Sequence, residues 1–228
     1  KVSVSDPPDF VLRNDFQTDW QGYSVLNLSP QLSLLSPSKL TSLHDFTALD
    51  FDGVDDYVDC NANAGDLGID GNKEKTIELW VYIRTFQSNE GLFSLGNTAF
   101  GEDFSLRVYT GISPENGFRG QFWGRDIDFI YYSKNKWVHF AVVHDGNGQT
   151  IYADGTVVGS QTFTLNTSTA QNLRLGIWQS FVLDGLISEV RVWNVARTQA
   201  EIQADMNRTL AGDEPGLVGY WRAQETWK

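Results

Sequence analysis

From Phe46 onward, apolar residues recur at every second position. In "TIELWVYI" (76–83), Ile77, Leu79, Val81 and Ile83 line one side, while Glu78, Trp80 and Tyr82 line the other. That is the period of a β-strand, with the β-branched and aromatic content that strands favour. The stretches 91–96, 104–111, 117–124 and 127–132 repeat the pattern, each bounded by Gly, Asn, Asp or Pro. The segment 136–163 predicts three strands joined at Asp145-Gly146-Asn147-Gly148 and at Asp154-Gly155. Asp-Gly between apolar runs marks a tight hairpin turn, because glycine supplies the positive φ. Strands at 172–178, 186–193 and 216–221 complete the set. One helix interrupts it near 198–206, where Thr198 and Glu201 have the spacing of a capping box. Its apolar face is narrow (Ala200, Ile202, Ala204, Met206), so a short surface helix is expected.

Many short strands with almost no helix predict an all-β fold, a two-sheet antiparallel sandwich. Residues 1–45 break the pattern. Pro7-Pro8 cannot donate to a sheet ladder, and "NLSPQLSLLSPSKLTSL" is rich in Ser, Leu and Pro. They are read as an N-terminal extension, extended or forming an edge strand, ahead of one domain at 46–228.

Composition fits this picture: 228 residues, 41% hydrophobic, is material for one large β domain. No apolar run approaches the roughly 20 residues of a membrane span. A chain that starts at Lys1 with no visible signal peptide reads as a mature form or an excised fragment. The net charge of −12 repels nucleic acid and anionic membrane, which are bound by clustered Lys and Arg. Cys60 is the single cysteine, so no intrachain disulfide forms, and its place in a strand pattern makes it a small buried hydrophobe. The three histidines share no metal-ligand spacing, and His139, alternating with Trp137 in a strand, reads as structural.

The stretch "FTALDFDGVDDYVDC" (46–60) packs in Asp50, Asp52, Asp55, Asp56 and Asp59. Alternation turns Asp50 and Asp52 away from whatever Phe51 packs on, and Gly53 to Asp56 form the turn. The spacing is not that of an EF-hand loop.

Four stretches together carry a family resemblance: "ALDFDGVDDYVDC", "TIELWVYI", "WVHFAVVHDGNGQTIYADGTVVG", and "LRLGIWQSFVLDGLISEVRVWNVARTQAEIQADM" running into "GLVGYWRAQE". In order and spacing, residues 46–225 resemble the LamG-like jelly-roll domains of the concanavalin A-like lectin/glucanase superfamily. The resemblance implies a jelly roll and an extracellular or cell-surface location as one module of a longer chain. It also implies a structural calcium between the "FDG" turn and the strand after the late Asp-Gly, at Asp52, Gly53, Asp184 and Ser188. The family usually reads Ile-Asp-Glu where this chain reads Ile187-Ser188-Glu189, and losing that carboxylate weakens a hard-cation site.

Three functions compete. Retaining glycoside hydrolysis needs two carboxyl groups about 5–5.5 Å apart, and only Asp126 and Asp128 offer such a pair on one strand. A carbohydrate-binding or adhesion module needs exposed aromatics beside hydrogen-bonding side chains. The polar, Gly-broken segment 106–129 supplies Arg107, Tyr109, Trp123, Arg125 and Asp126 as candidate contacts to a glycan or a cell-surface protein. A structural spacer needs neither. The binding module is the expected function, non-catalytic, with the spacer as the alternative.

Overall fold

The structure is a computed structural model and describes residues 24–27 and 47–222. The Pro7-Pro8 break, the Ser- and Leu-rich connection after Asn27, and His44 lie outside the described residues.

The described residues form two main sheets, a small ribbon and one helix. The larger sheet has eight strands. Its order is β1 (Ser24–Asn27), β2 (Thr47–Asp52), β15 (Asp184–Trp193), β4 (Lys75–Ile83), β9 (Trp137–His144), β10 (Gly148–Ala153) and β11 (Thr156–Thr162), with β16 (Leu217–Trp221) also pairing β15. The smaller sheet runs β3 (Val58–Asn63), β12 (Asn172–Leu175), β5 (Gly91–Ser94), β6 (Ser105–Val108), β7 (Gly117–Gln121), β8 (Ile127–Ile130). A ribbon of β13 (Ile177–Trp178) and β14 (Phe181–Val182) stands apart. Among the described residues every strand pairing is antiparallel. This is the jelly-roll sandwich that the strand pattern and the resemblance imply. The backbone of Ser24–Asn27 adds to the edge of the larger sheet, with Ser24 opposite Asp50 and Asn27 opposite Thr47.

The core fills the space between the sheets. Ile77, Leu79, Val81 and Ile83 of β4 meet Phe93, Leu106, Val108 and Phe118 of the smaller sheet, all fully buried. Each such side chain stabilises the fold by about 1.5–3 kcal/mol through burial. Cys60 belongs to this core. Phe51 is buried, whereas its neighbour Asp52 is exposed.

The second side of β4 is not open to water. Helix α1 (Gln199–Asp205) lies over it, started by the Thr198–Glu201 capping box. Ile202 packs on Ala141, Val143 and Tyr152, and the side chains of Gln199 and Gln203 donate to the Gly155 carbonyl. Beneath α1 lies a dry charged network. Glu78 Oε1 accepts from Trp193 Nε1 (2.8 Å) and Arg197 Nη1 (3.2 Å), with Arg191 Nη1 at 3.9 Å. Arg191 pairs with Glu189 (3.0 Å), Arg197 with Asp205, and Tyr220 donates to Glu189. His139 is buried here, so its imidazole is held well below its ordinary pKa by desolvation and by Arg191 and Arg197, and it stays neutral.

One expected strand is two. Residues 172–178 break at Gly176, which takes a φ of +75°. A Cβ there would meet the Phe51 ring at 2.4 Å. The chain therefore leaves the smaller sheet at Leu175 and turns into the β13–β14 ribbon, which builds the site below.

Candidate functional site

The ribbon folds across the outer face of the smaller sheet, and Gly91 of β5 makes room for it. A Cβ on Gly91 would lie 2.1 Å from the Ile177 carbonyl carbon and 2.2 Å from the Trp178 nitrogen. Gly91 pairs with Arg107 on β6, so the ribbon backbone crosses on the side that Arg107 occupies. Trp178 thereby comes down on the Arg107 guanidinium, 4.4 Å from ring centroid to Cζ.

Arg107 is a buried strut. Its Nε and Nη2 donate to Gln121 Oε1 (3.0 and 2.8 Å), Nη1 donates to Asn89, and the Tyr109 ring lies 5.1 Å away. Burial and neighbouring Arg119 pull its guanidinium down to about 10, so it remains a cation at neutral pH. Asp126 steadies Gln121 by accepting from its Nε2 and from the Phe122 N–H, both at 2.9 Å. Arg119 stacks on Tyr109 at 3.8 Å and makes a two-pronged pair with Asp128 (2.6 and 2.8 Å).

Above this polar layer runs an aromatic ledge. Trp123 lies 6.2 Å from Trp178, and Trp178 stacks with Phe181 at 6.3 Å. Phe181 is 40% exposed. Trp123 takes a φ of +51° and Gln179, beside Trp178, +56°. A bulky residue in that region is strained, and such strain gathers at binding sites. Asn89, which pins Arg107, has a φ of +77°. Three of the seven described non-glycine residues with positive φ thus surround one guanidinium and one indole.

Beside Trp178 a cavity of about 250 Å³ opens between Ser94, Asn97, Asp103, Arg174 and Gln179. At Asp103 the carboxylate accepts from Ser105 Oγ and from Trp178 Nε1 (3.2 Å). Burial pushes this carboxyl up to about 7, against those two hydrogen bonds and with the Asp126 charge adding to the rise. The folded protein therefore binds this proton more tightly than the unfolded chain does. The resulting stability is complete below the ordinary carboxyl value of about 4 and is lost as pH rises through about 7. Asp103→Asn is expected to flatten the fall in unfolding midpoint between pH 5 and pH 8. An undiminished fall, followed by calorimetry, would show that this carboxyl is not its source.

The sequence-derived contacts divide. Arg107, Tyr109, Trp123 and Asp126 do come together, but Arg107 is covered and supports the ledge from below. Arg125 departs from the group, with its guanidinium 5.9 Å from the Phe163 ring centroid. Asp126 and Asp128, the candidate catalytic pair, both pair with Arg119 (3.3 and 2.6 Å). Periodicity missed Trp178, Phe181, Asp103 and Arg174. The one signal for them was Gly176 inside an apolar run, a mark of bulges and close backbone approach.

The residues expected to hold calcium do not close around one point. Asp52 and Asp184 are partners across β2 and β15, and a Cβ on Gly53 (φ +78°) would lie 2.9 Å from the Asp184 Cβ. Ser188 lies opposite Trp80, four residues further along β15. At about 3.3 Å per residue it is about 13 Å from Asp184. The Arg84 guanidinium already sits at this corner. Its Nη1 reaches the Phe51 carbonyl (3.1 Å) and Asp184 Oδ1 (3.3 Å), and its Nη2 pairs with Asp50. Asp52, Asp55 and Asp56 bring carboxylate oxygens within 4.8 Å of one another. Asp52 Oδ1 accepts from the Val54 N–H and Asp56 Oδ2 from the Asp52 N–H, which holds the turn. The expected set does not fit the ion, because Ser188 is out of reach and Arg84 takes the oxygens of Asp184 and Phe51. Unfolding midpoints in millimolar calcium and in chelator are expected to agree. A rise of more than about 3 °C, about 1 kcal/mol of linked binding, would contradict that.

Residues 52–203 match the model of a family described as the concanavalin A-like lectin/glucanases superfamily. The chain belongs to that superfamily. No curated protein matches the sequence. Among solved structures, a candidate carbohydrate binding protein from Bacteroides ovatus ATCC 8483 superposes with a TM-score of 0.64 at 21% identity, over 81% of this chain and 54% of that one. The CBM40 domain of the Ruminococcus gnavus IT-sialidase, bound to α2,3 sialyllactose, gives 0.54 at 15% identity, over 71% of this chain and 98% of the domain. A Trypanosoma rangeli sialidase gives 0.54 at 14%, over 72% of this chain and 28% of the enzyme. The superfamily domain thus spans about half of the Bacteroides protein, and at these identities the likeness is one of fold. Among the described residues no helix is long and apolar enough to cross a membrane.

Proposed function

We propose that this domain is a non-catalytic carbohydrate-binding module of an extracellular or cell-surface protein, binding through the outer face of its smaller sheet. The observation that carries the reading is the cavity beside Trp178, walled by an indole and floored by hydroxyl and carboxyl groups, at the foot of the Trp123–Trp178–Phe181 ledge. Aromatic faces cover the apolar faces of sugar rings, and the polar groups take their hydroxyls. Arg107, Gln121 and Asp126 hold the ledge from below, so the surface is formed before a ligand arrives, which limits the ordering cost of binding. The sugar-binding neighbours in the same fold support the reading. Asp126 and Asp128 share Arg119, so neither is left as a free acid or nucleophile facing the cavity.

A glycan array probed with the purified domain tests the reading. Binding to a defined set of glycans is expected, weakened by Phe181→Ala, with no new reducing ends released from any bound glycan. An array with no bound glycan would leave the domain as a spacer. Release of reducing ends that stops with Asp126→Asn or Asp128→Asn would make it a hydrolase.

A further inference from the structure

The cavity beside Trp178 narrows the ligand class, an inference that rests on the carbohydrate reading above. Its volume is about 250 Å³. Cavities of about 150 Å³ hold a benzene ring, and drug-sized ligands occupy about 300–1,000 Å³. One six-membered ring with its hydroxyls is the matching size. Asp103, Ser105 and Ser94 line the cavity together with Gly96–Thr98 and Arg174. That is room for one ring and not for a run of several.

Its charges select further. Among the described residues the Asp103 carboxylate accepts only from the neutral donors Ser105 and Trp178. Of the two cations beside the cavity, Arg107 is spent on Gln121 and Asn89, and Arg174 is paired with Asp59. An acidic ring placed here would add a second negative charge beside a poorly solvated carboxyl. Arg174 lies at the side of the same cavity, with its Nε 3.5 Å from Asp59 Oδ2. A carboxylate that accepts and a guanidinium that donates together match hydroxyl groups, which donate and accept at once.

We propose that the cavity receives a single uncharged ring at the end of a glycan chain, with one ring hydroxyl donating to Asp103 and a second oxygen accepting from the Arg174 guanidinium. The rest of the chain then leaves over the Trp178–Phe181 ledge.

Isothermal titration of the intact domain tests this with three probe sets. The first is short oligosaccharides ending in neutral hexoses or pentoses. The second is the hexose-ended chains bearing a C6 carboxylate on the terminal ring. The third is cyclodextrins, which have no chain end. Binding is expected for at least one neutral-ended chain, at least about tenfold weaker for its acidic counterpart, and absent for the rings. Asp103→Asn, nearly the same shape, is expected to weaken binding about tenfold. Ser94→Leu, which fills the cavity from β5, is expected to abolish it while the unfolding midpoint stays near that of the parent. Equal or tighter binding of the acidic chains or the cyclodextrins overturns the inference and leaves the carbohydrate reading standing. So does neutral-chain binding that both variants retain. Failure of the domain to bind any glycan, in these sets or on the array, overturns the carbohydrate reading, and this inference with it.

Discussion

Trp178→Ala is expected to weaken glycan binding by at least about thirtyfold, the loss typical when a buried tryptophan anchor at the centre of a binding surface is truncated. The effect has three sources. The indole lines the cavity, so its removal takes away part of the wall. It lies between Trp123 and Phe181, so both lose their packing partner. It also covers the Arg107 guanidinium and donates to Asp103, so a buried cation and a buried carboxyl are opened to water together. Trp178→Phe separates these contributions. It keeps a ring over Arg107 and loses the Asp103 hydrogen bond, and an intermediate affinity is expected. Isothermal titration with a glycan the parent binds measures both. Unchanged affinity in Trp178→Ala would place the binding surface elsewhere on the domain.

The largest stability effect is expected far from the ledge. Glu78→Ala should cost about 3–5 kcal/mol, because removing one partner of a buried ion network leaves the remaining charges uncompensated in a dry site. Glu78 is fully buried, and its carboxylate is the acceptor for Trp193 Nε1 and Arg197 and the near neighbour of Arg191. Burial pushes its pKa up, and the two arginines pull against that. For a chain of this length the loss corresponds to a drop in midpoint of roughly 6–20 °C. Glu78→Gln should cost less than half as much. It keeps the volume and an acceptor for Trp193 and Arg197, both of which the alanine removes. Its amide also offers a donor towards His139, 3.5 Å from Glu78 Oε2, whose ring nitrogens have no hydrogen-bond partner among the described residues. Equal losses in the two variants would mean that the lost charge, and not the lost acceptor and side-chain volume, sets the cost.

These two effects show where sequence reasoning reached and where it stopped. Alternation in 76–83, the Asp-Gly joints and the Thr198–Glu201 spacing are local signals. They predicted β4, the β9–β11 hairpins and α1 with boundaries within a residue or two. Glu78 was equally visible, but period two cannot tell a wet strand face from one roofed by a helix more than a hundred residues later. Arg107, Tyr109, Trp123 and Asp126 were legible because they are close in sequence and sit on or just beyond neighbouring strands of one hairpin system. Trp178 and Arg174 join them only through β12 and the ribbon, a contact that no local pattern encodes, and Asp103, two residues before β6, gains its role from the Trp178 indole. Ser188 failed as a calcium ligand for a geometric reason: a strand is straight, so four residues carry it well past the turn.

The central claim is that the outer face of the smaller sheet, around Trp178, is the glycan-binding surface. Its most direct test is a heteronuclear NMR titration that follows the indole N–H signals of the eight tryptophans as a glycan bound by the domain is added. The account predicts that Trp178 and Trp123 move, while Trp80 and Trp193, packed near α1 on the larger sheet, stay in place. Shifts confined to Trp80, Trp137 or Trp193, with Trp178 and Trp123 unmoved, would contradict it and put the ligand on the opposite side of the sandwich.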